Sequence, residues 1–210
     1  MAAGGVAAGK KVAAERGAWI CFQDESGFSL LPVVRSTWAP RGQTPVLTHR
    51  FSWSRMSMAG VLAYRPDRSQ AKLIFQTRPG SYNTQSLIEF LTGLRRHLRG
   101  KPVILIWDGL SAHRSKDMKA WIATQRHWLR VEALPGYAHD LNPIEQVWGN
   151  LKATELANLC PEAIDEADTA AHTASTGSPC TATRTARTVV MTPARIAFRA
   201  RNRALWKKEM

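Results

Sequence analysis

The sequence predicts a mixed α/β domain, in which an antiparallel meander of strands continues into parallel βαβ units with helices packed against the sheet. Two patterns support this fold class. Several strand-like runs follow one another in the first third of the chain, and helix-like and strand-like runs alternate after residue 83. The 210 residues are 44% hydrophobic, which is enough for one domain with a sizeable core.

The first third of the chain supplies the meander. The run "AWICFQDE" (18–25) is apolar and ends in acids, as expected of a strand that is buried on both faces. Prolines and a glycine in "RSTWAPRGQTPVLTH" (35–49) indicate a hairpin with a loop rather than a helix. The runs "SRMSMAGVLAY" (54–64) and "AKLIFQT" (71–77) are two further strands, joined by a turn.

The rest of the chain supplies the parallel units. An amphipathic helix begins at Asn83 and has arginines in its last turns. The segment "KPVILIWDG" (101–109) contains a second apolar strand that ends in an aspartate. A helix over 115–126 and a strand over 127–135 come next, and a last helix starts near Asn142. The helix that begins at Asn83 is expected to bury the side that carries Leu87, Leu91, Leu94 and Leu98.

Charge and cysteine content narrow the class of protein. The net charge is +13, which suits a polyanionic partner such as nucleic acid. Residues 176–210 hold eight Lys or Arg and one Glu, so much of the excess lies in the tail. The three cysteines lie far apart in sequence, which argues against a zinc ribbon or a disulfide framework. With no signal peptide or long apolar run, the sequence predicts a cytoplasmic protein.

Composition divides the chain into three parts. Residues 1–16 are rich in Ala and Gly and are expected to be a linker or a remnant that precedes the domain. Residues 17–172 carry the periodic runs and form the predicted domain. Residues 173–210 are dominated by Thr, Ala and Arg and predict a basic, disordered tail.

Two aspartates follow the two most apolar strands. Asp24 comes after "AWICFQ" and Asp108 after "PVILIW". A carboxylate that leaves an apolar strand must be solvated, paired or bound to a cation. If the strands are neighbours, the two acids repel each other, and Mg²⁺ or Mn²⁺ would relieve that repulsion. An Asp at a strand end is also a common turn former or helix cap, and composition does not decide between these roles.

Glu145 has a similar pair of explanations. In "NPIE", Asn142 can serve as N-cap, Pro143 suits the first helical position, and Glu145 can reach back to the cap amide. Alternatively, Glu145 completes an acidic cluster with Asp24 and Asp108, where two metal ions would activate an attacking oxygen on a phosphodiester. An apolar stripe fixes the buried face of this helix and consists of Ile144, Val147, Trp148 and Leu151.

Other side chains compete for or adjoin these roles. Glu25 alternates with Asp24 along the strand and should point to the opposite face of the sheet. Asp140 precedes the predicted cap and should lie in the loop. His113, five residues after Asp108, is a candidate neighbour of the site. The tryptophans at 107 and 148 are assigned to the core.

Three segments carry a family resemblance. The motifs "FQDESGF", "ILIWDGLSAHRS" and "LPGYAHDLNPIEQVWGNLK" resemble the three acidic motifs of mariner-related bacterial insertion-sequence transposases, the DDE superfamily endonucleases. The segment "STWAPRGQTPV" is similar to the hairpin that follows the first aspartate in that family. The resemblance covers about residues 15–172, and 36 residues separate the second and third acids, within the family's usual range.

The resemblance implies a fold, a chemistry and partners. The fold would be ribonuclease-H-like, with Asp24, Asp108 and Glu145 as catalytic residues that hold two Mg²⁺ ions, for which Mn²⁺ can substitute. The activity would be nicking of DNA at transposon ends and transfer of the freed 3′-hydroxyl into target DNA. The protein would act as a dimer on DNA. Candidate site neighbours are His113 and Asn142, and candidate contacts to DNA phosphates are Arg35, Arg41, Arg114 and Lys116.

The sequence also departs from that family in several places. Its members normally carry an N-terminal helix-turn-helix region, and His139 stands where they often have a proline. The tail lacks the leucine- and phenylalanine-rich helix expected after residue 172, which suggests a frameshift near residues 173–178. Translation of the other frames of the gene tests this hypothesis, and the absence of a leucine-rich ending there would contradict it. Two alternatives follow: an inactive truncated transposase that only binds DNA or a full-length copy, and another ribonuclease-H-like nuclease.

Overall fold

A computed structural model describes residues 17–29, 31, 34, 36, 38–44, 46, 55–67, 69–135, 141–156 and 187–189. The predicted linker, most of the tail, Arg35, His139 and Asp140 lie outside the described residues.

The elements follow the predicted order. The strands are β1 (Trp19–Ser29), β2 (Arg55–Tyr64), β3 (Ala71–Pro79), β4 (Val103–Trp107), β5 (Leu129–Ala133) and β6 (Arg187–Val189). The helices are α1 (Thr84–His97), α2 (Lys116–Thr124) and α3 (Ile144–Asn150), the last of which continues into a π-helical turn over Leu151–Glu155.

The strands form one mixed sheet in the order β5-β4-β1-β2-β3-β6. Strands β1, β2 and β3 are a meander of antiparallel neighbours, and β6 adds antiparallel to β3. Strands β1, β4 and β5 are parallel, and each connection between them passes through a helix. The predicted transition from an antiparallel meander to parallel units is therefore confirmed, and β1 is the strand where the two halves of the sheet meet.

Helices cover both faces of this sheet. On the first face, α1 and α2 pack over inward side chains of β1, β2 and β4 in the larger core. This face includes the four predicted leucines of the first helix, all of which are buried. On the second face, Ile144, Trp148 and Leu151 pack against β2 and β3. Trp19 and Cys21 of β1 belong to the first core, whereas Ile20 and Phe22 pack in a third cluster with side chains of β4, so neighbouring residues on this strand belong to opposite faces.

Strand β1 extends beyond the predicted acidic end. Asp24 does not end it, because the antiparallel pairing with β2 continues through Asp24–Gly60 as far as Ser29–Arg55. The parallel pairing of β1 with β4 stops earlier, at Phe22–Ile106. Asp24 therefore lies just beyond the parallel ladder and inside the antiparallel one.

The starts of two helices differ in their capping. Asn83 caps α1 as a capping box, in which its side chain accepts from Ser86 N and the Ser86 hydroxyl accepts from Asn83 N. α3 begins at Ile144, and the side chain of Pro143 directly before it makes no cap hydrogen bond. The Asn142 Oδ1 accepts from Ile144 N at 3.4 Å, in agreement with the predicted cap. The Asn142 Nδ2 also donates to the Gln23 backbone carbonyl at 3.1 Å, so the same side chain ties the helix start to β1.

Two further segments bear on the sequence predictions. The turn at 40–43 is closed by Gln43 N donating to the Pro40 carbonyl at 3.0 Å, within the predicted hairpin loop. The expectation of a tail without regular structure is not met at Arg187–Val189, which pair with Leu73–Phe75 of β3. β-branched Thr188 and Val189 suit such an edge strand.

None of the helices in the described ranges is long and apolar enough to cross a membrane.

Candidate active site

The sheet places Asp24 and Asp108 at the same level. Strands β1 and β4 pair in register from Trp19–Val103 to Phe22–Ile106, a constant offset of 84 residues. The same offset relates Asp24 to Asp108, which directly follows β4. The carboxyl ends of neighbouring parallel strands are where open α/β sheets form their sites.

Asp24 is buried against α3. It is only 7% exposed, and the indole Nε1 of Trp148 donates to its Oδ2 at 3.0 Å. Burial raises the pKa of Asp24 to about 7, with further increases from the negative charges of Glu145 and Glu25, while the hydrogen bond from Trp148 acts in the opposite direction. The protein thus buries a carboxylate beside other carboxylates, an arrangement that favours a bound proton or a cation.

Glu145 stands in the first turn of α3, on its exposed side. Its neighbours Ile144 and Trp148 are buried one helical turn apart and fix the orientation of the helix. Asn142 is buried immediately before the helix and holds it to β1 through the carbonyl of Gln23, the residue next to Asp24. The start of α3 is therefore tied to the strand that carries the first aspartate.

Asp108 has a different set of partners. Its Oδ1 accepts from Leu110 N at 3.1 Å and lies 3.0 Å from Nδ1 of His113. The Asp108 backbone carbonyl is 3.1 Å from the same ring nitrogen. About a third of the Asp108 side chain is exposed, at 33%. This carboxylate is thus held by the loop that follows its own strand.

His113 links that loop to β1. Its Nε2 lies 3.1 Å from Oε1 of Glu25, and its ring stacks on Trp107 with centroids 4.1 Å apart. Both ring nitrogens face oxygen acceptors, which is the pattern of a doubly protonated imidazolium. Burial lowers the pKa of His113, but the hydrogen bond and charge of Glu25, with smaller contributions from Asp108, outweigh it and raise the pKa above its usual value.

Glu25 and Asp24 serve opposite faces of β1. Glu25 meets His113 on the face covered by α1 and α2, while Asp24 meets Trp148 of α3 on the other face. The prediction that Glu25 points away from the Asp24 side is confirmed. The two acidic neighbours in sequence therefore have separate partners, His113 for Glu25 and Trp148 for Asp24.

The amino-acid sequence matches a known protein family. The family model described as DDE superfamily endonuclease matches residues 19–166. The chain belongs to the DDE superfamily endonuclease family. Comparison with curated protein sequences gives no match.

Solved structures share the fold of this DDE endonuclease chain. Three are of Mos1: the transposase paired-end complex with left transposon end (TM-score 0.55, 18% identity), the strand transfer complex (0.53, 17%) and the mariner paired-end complex with Mn (0.51, 16%). The matches cover 79–80% of this chain and 49–51% of the Mos1 chains, so the chain spans about half their length. The predicted ribonuclease-H-like mixed sheet is confirmed as the fold class.

The donor chemistry of the candidate site fits a hard divalent cation, although Asp24, Asp108 and Glu145 are not gathered into one cluster. Carboxylate oxygens are the ligands that Mg²⁺ and Mn²⁺ prefer. Among the described residues, no group of three or more His, Cys, Asp or Glu stands close enough to hold a metal ion. The Asp108 carboxylate contacts His113, whereas the negative charge of Glu145 acts on Asp24 and raises its pKa.

Three of the four candidate DNA contacts are exposed among the described residues. Arg114 and Lys116 follow His113, and Arg41 lies in the turn at 40–43. Arg35, the fourth candidate, lies outside the described residues. Two exposed cations therefore follow Asp108 within eight residues of the chain.

Three features of the site are not evident from the sequence. Trp148 is a core residue, as predicted, but its indole also donates to Asp24. The other two are the contact of Glu25 with His113 and the position of Gly60, which faces Asp24 across the ladder. An isolated glycine in the middle of a strand pattern often marks a close approach, and that signal was present in "SMAGVLAY".

Proposed function

We propose that residues 17–172 are the catalytic domain of an insertion-sequence DDE transposase, which cleaves DNA strands with the help of Mg²⁺ and transfers them during transposition. The observation that carries the proposal is the placement of Asp24 and Asp108 at one level of neighbouring parallel strands, with the charge of Glu145 beside Asp24. Membership of the DDE endonuclease family supports the same chemistry.

In this proposal Asp24, Asp108 and Glu145 hold the cations, two Mg²⁺ ions with Mn²⁺ as a substitute. Divalent cations at such a site supply a polarised attacking oxygen and stabilise the oxygen that leaves the phosphodiester. Buried Asp24 contributes a carboxylate with few water competitors, and partly exposed Asp108 contributes one that the substrate can approach. The three acids come from β1, the end of β4 and α3, so the fold itself sets their arrangement.

The chain's other polar residues would orient these acids and the DNA. His113 holds Asp108 from one side, and Asn142 holds the start of α3 against β1. Exposed Arg41, Arg114 and Lys116, together with Arg35, are proposed to contact DNA phosphates, which position the substrate without selecting its sequence. Pairing of two transposon ends would require a dimer on DNA. These roles are proposals that mutation can separate from catalysis.

A strand-cleavage assay tests the function. DNA that carries the element's ends is incubated with Mg²⁺ and either the wild-type chain, Asp108→Ala or the matched control Asp117→Ala. Asp117 is an exposed acid in the first turn of α2, nine residues further along. We expect cleavage by the wild type and Asp117→Ala and none by Asp108→Ala. Equal cleavage by all three proteins would contradict the catalytic assignment.

The same assay separates the alternative of an inactive copy. If the wild-type chain binds DNA in a mobility-shift assay but does not cleave it, while an N-terminally extended version does cleave, the domain needs an additional DNA-binding region. If neither protein cleaves, the chain is an inactive copy that only binds DNA or a full-length partner. Salt dependence of the mobility shift would then measure how many phosphates the basic residues neutralise.

A further inference from the structure

Trp148 makes two kinds of contact at once. It is 3% exposed and packs with Ile144 and Leu151 against β2 and β3, as a core residue should. Its indole Nε1 also reaches β1 and donates to Oδ2 of Asp24 at 3.0 Å. A buried tryptophan with a polar partner can fix that partner's position as well as fill space.

Gly60 is the residue that makes room for the indole. It is paired with Asp24 in the β1–β2 ladder. A Cβ at position 60 would lie 2.6 Å from Cη2 and 2.7 Å from Cζ2 of Trp148, and 3.0 Å from Cδ1 of Ile144. These are atoms of buried, closely packed side chains, so a larger residue at position 60 would displace the indole.

We propose that Trp148 is a positioning residue for the catalytic carboxylate of Asp24, and that Gly60 is required because it admits the indole to that position. One hydrogen bond to Oδ2 restricts rotation of the carboxylate and so sets the direction in which Asp24 presents its oxygens to a cation. Partners that orient a ligand in this way typically change metal affinity 10- to 100-fold when they are removed. The inference rests on the proposed function, since it assigns Asp24 a cation.

The chain offers a matched control for Trp148. Trp128 is 4% exposed, belongs to the other core and donates from its own Nε1 to Oε1 of Gln125 at 2.8 Å. Trp148→Phe and Trp128→Phe therefore make the same chemical change, the loss of one buried indole and one N–H donor. Only the first change removes a partner of Asp24.

Mn²⁺ binding to the full chain, measured by electron paramagnetic resonance of the free ion, gives a readout independent of cleavage. We expect Trp148→Phe to weaken Mn²⁺ affinity about tenfold and Trp128→Phe to leave it unchanged, although both variants melt at lower temperature. Trp148→His should restore part of the Mn²⁺ affinity, because its ring N–H can still donate a hydrogen bond. Equal Mn²⁺ affinities for the wild type, Trp148→Phe and Trp128→Phe would overturn the positioning role.

A second pair of variants tests the part played by Gly60. Gly60→Ala should weaken Mn²⁺ affinity about as much as Trp148→Phe does, since it displaces the same indole. Gly27→Ala is the control, because a Cβ there meets only the Met56 carbonyl oxygen at 3.8 Å. If Gly60→Ala folds and binds Mn²⁺ like the wild type, the indole does not depend on Gly60 and that half of the proposal fails.

A double-mutant cycle without metal tests the contact itself. Trp148→Phe should lower the folding equilibrium constant about tenfold more in the wild type than in Asp24→Ala, which has no acceptor. Zero coupling would show that the hydrogen bond does not hold Asp24. If the wild type binds no Mn²⁺ but the coupling is present, the proposed function fails and the positioning role for a cation fails with it. If only the positioning role is wrong, the wild type binds Mn²⁺ and Trp148→Phe binds it with the same affinity.

Discussion

Asp24 and Asp108 occupy equivalent levels on neighbouring parallel strands, but their surroundings differ. Asp24 lies inside the sheet at 7% exposure, next to the negative charge of Glu145, and accepts from the indole of Trp148. Asp108 lies beyond the end of its strand, is one third exposed, and contacts His113, whose pKa the acids Glu25 and Asp108 raise in spite of its burial. Asp108 thus has a titratable base as its partner, whereas Asp24 has no cationic partner among the described residues.

This difference indicates how the two acids divide the work. A buried carboxylate beside other carboxylates is destabilising in the metal-free protein, and a divalent cation would relieve that cost. Asp108, by contrast, is held in a defined place by Leu110 N and the His113 ring. The proposed site therefore combines Asp24, a buried acid that a cation would stabilise, with Asp108, an acid that its neighbours already orient.

The largest expected effect tests whether the two acids are equal in catalysis. Asp24→Asn and Asp108→Asn should each reduce Mg²⁺-dependent strand cleavage at least about a thousandfold, because each removes a charged ligand from the metal. Single-turnover cleavage of end-bearing DNA measures the effect. Retention of activity by either variant would remove that aspartate from the catalytic set.

The second largest effect is a difference in the free energy of unfolding between Asp24→Asn and Asp108→Asn. Asp24→Asn should stabilise the metal-free protein by about 2–4 kcal/mol near pH 8, since one pKa unit corresponds to about 1.4 kcal/mol. Asp108→Asn should instead destabilise it by about 1 kcal/mol, because it removes a charged partner of His113. Urea unfolding of both variants measures the difference, and destabilisation by Asp24→Asn would contradict our description of its environment.

The pH dependence has a definite sign. The pKa of Asp24 is raised from 3.8 to about 7, so the folded state binds this proton more tightly than the unfolded state. Its contribution to stability is therefore fully present below about pH 4 and is lost as the pH rises to about 7. The stability of Asp24→Asn should not show this decrease between about pH 4 and about pH 7, and urea unfolding at several pH values in that range measures it.

His113 should have a smaller effect in a different pH window. His113→Gln should destabilise the protein by about 2 kcal/mol at pH 6, because Glu25 loses its cationic partner. Since folding raises the pKa of His113, the stabilisation is fully present below its unfolded pKa of 6.5 and is lost as the pH rises through the folded value. The difference between the wild type and the variant should therefore shrink at alkaline pH.

Exposed His127 provides the control for that measurement. His127→Gln should change the free energy of unfolding by less than about 0.5 kcal/mol at either pH. If His113→Gln is no less stable than His127→Gln at acidic pH, the histidine does not bridge Glu25 and Asp108 in solution.

The smallest effect distinguishes two asparagines that precede helices. Asn83→Ala and Asn142→Ala should each cost about 1 kcal/mol, the first by loss of a helix cap and the second by loss of the bond from Ile144 N and the hydrogen bond to β1. Only Asn142→Ala should also reduce strand cleavage, because Asn142 holds the start of α3 near Asp24. Equal cleavage by the two variants would show that this contact is only structural.

Local patterns predicted most of the fold. Apolar runs located the strands, the leucine periodicity located α1, and the alternation of helices and strands after residue 83 predicted the parallel half of the sheet. These features depend on neighbouring residues, which a single sequence displays directly. The family resemblance added the ribonuclease-H-like class, which topology and the Mos1 structures support.

Features that depend on distant residues were not predictable in the same way. Local sequence predicted the bond from Ile144 N to the Asn142 side chain, but not the second bond of that side chain, to a carbonyl 119 residues away. The end of β1 was misplaced because its antiparallel partner, not its own composition, extends it past Asp24. The partners of Asp24 and Glu25 come from α3 and from the loop after β4, so pairing them requires the tertiary structure.

Metal-directed backbone cleavage tests the central claim, that Asp24, Asp108 and Glu145 surround one cation site. Fe²⁺ replaces Mg²⁺, and with ascorbate and peroxide it generates radicals that cut only the nearby chain. We predict cuts close to residues 24, 108 and 145 in the same sample, all suppressed by excess Mg²⁺ and all absent in Asp24→Asn. Cuts at only one of these positions, or cuts that excess Mg²⁺ does not suppress, would contradict the shared site.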